Sequence, residues 1–284
     1  MKTKTLLTAL ATTMAVSFGI SASAVTLKEI QDRGTVRIAV ANEIPYGYMD
    51  MSGKAKGAGP EVAQHIMDEL GIKKVEWITT NFGSLIPGLR ANRFDMVAAE
   101  MAILPQRCKE VLFSEPDTSY GEGLLVAKGN PDNIHTFESF AKNDKKIAIM
   151  AGADQLEMLQ ELGVSEDRMV TIASNADAIS TVATGRASAY AATSLTVSEL
   201  AKKSDKVEPA ADFTDPVIGG KPARSWGGFT FNQGSEDFRD AVNGELKKFK
   251  QTPEWKKILE TYGFSEADAK ESFSMTTEQL CAAK

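Results

Sequence analysis

The sequence is short of the side chains that most often carry catalysis. It holds two histidines, His65 in a predicted helix and His135 in a predicted loop. No HExxH pair and no cysteines at metal spacing accompany them, so neither a metal centre nor a cofactor is expected. GKAKGAGP (53–60) lacks the lysine and hydroxyl that end a phosphate-binding loop and runs into a proline-opened helix, so it reads as a turn. A GxSxG elbow is also missing. Positive charge is outweighed: 32 Lys and Arg against 38 Asp and Glu leave -6, which argues against nucleic acid or an anionic membrane as partner. Past the first 24 residues no apolar run approaches the about 20 residues that span a bilayer.

Those first residues read as a secretory leader. MKTKT supplies two lysines, LLTALATTMAVSFGI is an apolar core of signal-peptide length, and SASA offers Ala22 and Ala24 to a signal peptidase. Cleavage is expected after Ala24, leaving a protein in the periplasm. No lipobox cysteine follows the leader, which favours a freely diffusing protein, and a monomer is expected. Cysteine is limited to Cys108 and Cys281. In an oxidising compartment so separated a pair is expected to be a disulfide, tying the C-terminal tail to the first half of the chain.

What the chain does contain is an order of elements that occurs twice. VRIAV (36–40), KVEWIT and FDMVAA read as strands, separated by a helix over 60–70 and a short helix, SLIPGLRAN, capped by Ser84. KIAIM (146–150), RMVTIA and ASAYAA repeat the scheme, with helices DQLEMLQEL and NADAISTVATG between them. This predicts an α/β fold of two lobes, each a mostly parallel sheet flanked by helices, with right-handed crossovers. SYGEGLLVAKGNPDN and SWGGFTFNQG are extended, glycine-bearing stretches suited to cross between lobes as hinges. The expected division is leader 1–24, lobe one 25–122, lobe two 123–226, and a return to lobe one over 227–284 through two amphipathic helices. Phe238, Val242, Leu246, Phe249, Trp255, Ile258 and Leu259 are expected on their buried sides.

In open α/β sheets ligands sit beyond the carboxyl ends of the strands. That rule selects ANEIPYGY, TNFGS and AEMAILPQRC in lobe one, bringing Glu43, Tyr46, Phe82, Glu100 and Arg107 to one edge. A carboxylate among aromatic rings suits a weakly hydrated organic cation, and a guanidinium suits a ligand carboxylate. In lobe two the rule selects AGADQ, SNAD and the Thr193–Ser194 pair. Asp154 reads either as a helix cap or as a ligand contact, and Thr193 as a hydrogen-bonding group toward ligand. Trp226, at the return hinge, reads as packing.

VRIAVANEIPYGYMD, GPEVAQHIMDELG, NFGSLIPGLRANRFDMVAA, LPQRCKEVLFSEP and EWKKILETYGF together resemble the extracellular solute-binding proteins of polar amino acid ABC importers. NEIPYGY, FGSLIPGL, PQRCKEV and TTEQLCAAK resemble most the ectoine and hydroxyectoine branch. The resemblance implies a receptor that closes on a small zwitterionic or cationic solute and presents it to a membrane permease. It matches Glu43 to the acid, Tyr46 and Phe82 to two aromatics of the cation box, and Arg107 to the arginine that takes the carboxylate. Ala102 and Leu104 replace an aromatic and a threonine, Glu100 stands where glycine is usual, and ADQ follows Gly152 where hydroxyls are typical. These departures imply a wider, less aromatic and more acidic pocket. The alternative is an exported dehydratase-type enzyme on the same lobes, with Glu43 and Glu100 as acid and base.

Overall fold

Residues 24–283 are described by a computed structural model; the expected leader, apart from Ala24, lies outside the described residues. In chain order the strands that build the two main sheets are β1 (Thr35–Val40), β2 (Lys74–Thr79), β3 (Met96–Ala102), β4 (Val111–Phe113) and β5 (Thr118–Tyr120). They continue with β6 (Glu122–Ala127), β7 (Ile147–Met150), β8 (Met169–Ile172), β9 (Ala189–Thr193), β10 (Val207–Pro209) and β11 (Ser225–Asn232). The first sheet has the order β2-β1-β3-β11-β4, with β5 alongside β11, and the second β8-β7-β9-β6-β10. In each, three strands in the order second-first-third run parallel. The crossing strands then add antiparallel partners: β11 on β3, and β6 on β9.

The two predicted β-α-β-α-β units are therefore the parallel centres of two sheets. Both faces of each sheet are covered, so their central strands are apolar almost throughout rather than alternating. Val36, Ile38, Met96 and Ala98 face a core filled by the helix Ala58–Glu69 and by Phe238, Val242, Leu246, Phe249, Trp255 and Leu259. Ile258 packs at its margin. Ala39, Val97 and Met101 face the opposite core, which Leu85, Leu89, Phe113 and Leu280 complete. The second sheet likewise separates one core around Ala148, Tyr190 and Val182 from another around Ile147, Phe137 and Leu159.

The chain passes between sheets at Gly121, and again before Ser225. Pairing starts at the first residue after each passage, Thr193 opposite Glu122 and Ser225 opposite Tyr120. The expected boundaries at 122/123 and 226/227 thus fall just inside β6 and β11. Helix Ala58–Glu69 starts two residues before Pro60, whose missing N–H is harmless in a first turn. Ser84 makes no side-chain cap; it belongs to a short turn of 3-10 helix, Phe82–Ser84, that leads directly into Leu85–Arg90. Beyond the two expected C-terminal helices, Glu266–Glu271 and Thr277–Ala282 bring the tail back to the first sheet. There Cys281 is bonded to Cys108, 173 residues away in sequence. Among the described residues no helix is long and apolar enough to cross a membrane.

Candidate functional site

The β1 loop is held by backbone bonds before any side chain acts. Glu43 and Gly47 exchange N–H to carbonyl bonds of 2.8 and 2.9 Å, while Ala58 and Gly59 donate to the carbonyls of Pro45 and Tyr46. The free amides that open the Ala58–Glu69 helix are satisfied in this way by the loop itself. Gly47 is required there, since a Cβ would lie 2.5 Å from the Ala98 carbonyl oxygen. Glu43 and Tyr46 are consequently fixed over the carboxyl end of β1.

Both reach across to the second sheet. Tyr46 Oη donates to Thr193 Oγ1 at 2.6 Å, and Asn175 Nδ2 donates to Glu43 Oε1 at 2.9 Å. Thr196 Oγ1 adds a longer bond of 3.4 Å to the same oxygen. Tyr190 Oη in turn donates to Asn175 Oδ1. Burial pushes the Glu43 carboxyl up to about 7, against the pull of the Asn175 and Thr196 donors and with a further push from Asp154. Burial also raises the Tyr46 hydroxyl well above its ordinary value.

Glu43, Tyr46, Tyr190 and Thr193 line a cleft enclosing about 380 Å³ not filled by protein atoms, part of it open to solvent. Six of the seven expected residues line it: Glu43, Tyr46, Phe82, Glu100, Asp154 and Thr193. Arg107 does not. Its guanidinium is buried behind the wall, 5.7 Å from the Phe82 ring centroid. One N–H donates to the Ala102 carbonyl at 2.9 Å and another to that of Gly152, in the other sheet's loop, at 2.8 Å. With the two units in contact, a backbone carbonyl therefore stands where a ligand carboxylate was expected. Gly152 permits that approach: its φ is +80°, and a Cβ on it would lie 2.9 Å from Gly83 Cα.

Two expectations about acids change. Asp154 makes no side-chain cap on the Gln155–Glu161 helix; its Oδ2 instead accepts from Ser225 Oγ at 2.9 Å. Glu100 is inside β3, not in the loop after it, because β11 continues the ladder to Met101 and Ala102. The pairing register shifts there, and Glu100 takes a left-handed φ of 50°, the conformation glycine enters most readily. Its Oε2 accepts from Thr118 Oγ1 at 2.5 Å. Burial and the neighbouring Asp117 raise the Glu100 carboxyl, and burial raises Asp117 to about 6. Behind that pair Lys250 donates to the carbonyls of Pro116 and Ser272 at 2.6 and 3.0 Å, its ammonium 3.9 Å from the Phe273 ring centroid.

Sequence reasoning missed Tyr120, Gln155 and Tyr190, all of which line the cleft, and Glu122, which accepts from Gln155 Nε2 at 2.7 Å. Asn175 lies in SNAD, a loop the strand-end rule had selected. Trp226 packs at the margin of a core and donates to the Glu271 carbonyl, away from the cleft.

Two α/β units joined by crossing strands, with a polar and aromatic cleft between them, define a two-lobed binding protein. The chain belongs to the bacterial extracellular solute-binding proteins, family 3, whose pattern matches residues 36–266. It is 55% identical over 263 residues to a probable amino-acid ABC transporter periplasmic-binding protein, y4tE, of Sinorhizobium fredii (strain NBRC 101917 / NGR234), covering 92% of this chain and 87% of that one. Among solved structures it is similar to EhuB in complex with hydroxyectoine, with a TM-score of 0.82 and 35% identity over 91% of this chain and 98% of that one. It is also similar to the ancestral amino acid-binding protein AncCDT-1, a precursor of cyclohexadienyl dehydratase, with a TM-score of 0.71 and 30% identity over 83% and 98%. The family is one of solute-binding proteins, and the protein is a receptor, not an enzyme.

Proposed function

We propose that the protein is the periplasmic substrate-binding receptor of an ABC importer for a small zwitterionic or cationic solute, acting as a monomer after cleavage at Ala24. The observation that carries this is the convergence of Glu43, Tyr46, Phe82 and Glu100 from one sheet with Asp154 and Thr193 from the other on a single cleft. Lobe one (25–122 and 227–284) and lobe two (123–226) close by bending at the two passages between sheets, and the solute stabilises the closed form through contacts made only there. The closed form is what a permease reads. Arg107 serves closure by bonding the Gly152 carbonyl; a ligand carboxylate reaches it by displacing that carbonyl.

Support comes from relatives of the family: a probable amino-acid ABC transporter periplasmic-binding protein and a hydroxyectoine complex. A thermal-shift screen of the mature protein against amino acids, ectoines, betaines and polyamines tests the proposal. A true solute at 100 times its Kd stabilises the fold by about 2.7 kcal/mol. If no zwitterion or cation of this size raises Tm, the receptor reading fails.

A further inference from the structure

We propose that this cleft selects a small organic solute of net positive charge bearing N–H donors, and that such a solute is what makes closure of the two lobes favourable. The inference rests on the receptor reading above. Its basis is a charge imbalance distributed over both lobes. Glu43 and Glu100 come from the first sheet and Asp154 from the second, and all three line the cleft, whereas among the described residues no lysine or arginine does. Glu122, at the start of β6, lies directly behind Gln155. The nearest guanidinium, that of Arg107, bonds backbone carbonyls. The Lys250 ammonium bonds the carbonyls of Pro116 and Ser272, on the far side of Asp117.

Two acids retain unsatisfied bonding capacity. Glu100 and Glu122 are 3% and 2% exposed, and Oε1 of each has no donor in hydrogen-bond reach among the described residues; Glu100, beside the Asp117 carboxyl, lines the cleft, whereas Glu122 lies behind its wall. A buried carboxylate oxygen without a donor is costly, and a solute ammonium or guanidinium is the kind of group that supplies one. Tyr46, Phe82, Tyr120 and Tyr190 line the same space and offer ring faces to a cation. A quaternary ammonium has no N–H to give, so the unsatisfied oxygens favour amines and guanidines over betaines. A metal ion is a poor alternative, since among the described residues no three His, Cys, Asp or Glu side chains are grouped to hold one.

The distribution of the acids links selection to motion. Glu43 faces Asp154 and Tyr190 across the closed cleft, with Tyr46 beside it on its own loop; Glu122 faces Asp154 and Asp215; Glu100 faces Asp117, Tyr120 and, more remotely, Lys250. Closing the empty protein brings Glu43 and Asp154 together from opposite lobes, and Glu43 holds its proton more tightly, pushed up by burial and further by Asp154. A cation entering the cleft reverses that response, so binding releases protons and strengthens as pH rises.

The test is isothermal titration of the mature protein at pH 6 and pH 8 with putrescine, agmatine and L-arginine against ectoine, glycine betaine and L-glutamine. At least one net-positive solute should bind tenfold or more tighter than every neutral one, tighten at pH 8, and release protons in buffers of different ionisation enthalpy. A neutral zwitterion that outbinds all three cations overturns the inference and leaves the receptor reading standing; failure of all six solutes, and of the wider screen, removes both. In small-angle scattering at pH 8, a solute-free Glu43→Gln/Asp154→Asn protein should be more compact than the wild type. Equal dimensions would overturn the link between charge and closure.

Discussion

Replacing Glu43 with glutamine isolates the cost of burying one carboxylate. The amide keeps an acceptor for Asn175 and Thr196, whose bonds to Glu43 Oε1 are 2.9 and 3.4 Å, and removes only the charge. In the folded protein burial carries this carboxyl from 4.5 to about 7. At 1.36 kcal/mol per unit, that is a penalty of about 3 kcal/mol for ionisation. Because the folded value is the higher one, the folded chain binds the extra proton, and stability declines as pH rises from about 4.5 through about 7. The penalty is fully developed at pH 8 and amounts to under about 1 kcal/mol at pH 5. Solute-free Glu43→Gln should therefore melt roughly 6–12 °C above the wild type at pH 8, taking about 2–4 °C per kcal/mol for a chain of this size. At pH 5 the two should nearly coincide. Differential scanning fluorimetry at the two pH values reads this directly. An equal offset at both, or a variant less stable at pH 8, would refute the electrostatic reasoning. The same variant should bind a cationic solute at least tenfold more weakly, since a charge-assisted hydrogen bond contributes about 1.5–3 kcal/mol.

Four further outcomes are expected. Arg107→Ala should weaken solutes with and without a carboxylate by tenfold or more, because it unties the Gly152 carbonyl; a loss confined to carboxylates in calorimetry would show that Arg107 acts on the ligand instead. Gly152→Ala should leave the melting transition cooperative but reduce affinity sharply, as its Cβ would meet Gly83 Cα at 2.9 Å; unchanged affinity would mean the lobes need not approach so closely. Lys250→Met should cost about 1–3 kcal/mol of stability for each buried carbonyl, Pro116 and Ser272, left without its donor, measured by urea unfolding; a loss below 1 kcal/mol would contradict the burial described. Opening the Cys108–Cys281 bridge should lower stability by up to roughly 5 kcal/mol on chain entropy alone, while solute affinity at 20 °C changes less than threefold.

The candidate cleft was legible in outline because parallel α/β strands end in loops at a common edge, and ANEIPYGY, TNFGS, AGADQ and SNAD are such loops. It was less informative where an element distant in the chain completed the geometry. Glu100 joins a strand only because β11, over 120 residues later, extends the ladder beside it. Tyr120 and Tyr190 sit in strands, where an aromatic reads as core until the facing surface is known. Arg107 was placed on the correct loop, but its partner depends on how closely the second lobe approaches, and no local pattern encodes that distance. Asp154 resembled a cap by position, whereas Ser225, remote in sequence, provides its bond.

Both ends of the disulfide belong to the same half of the molecule, Cys108 beside β4 and Cys281 in the terminal helix packed on that sheet. The covalent staple therefore spans no moving joint. Closing the bridge can toughen the frame against heat and proteolysis while the bending segments stay as compliant as in the reduced chain, so durability and mobility are set by separate parts of the protein.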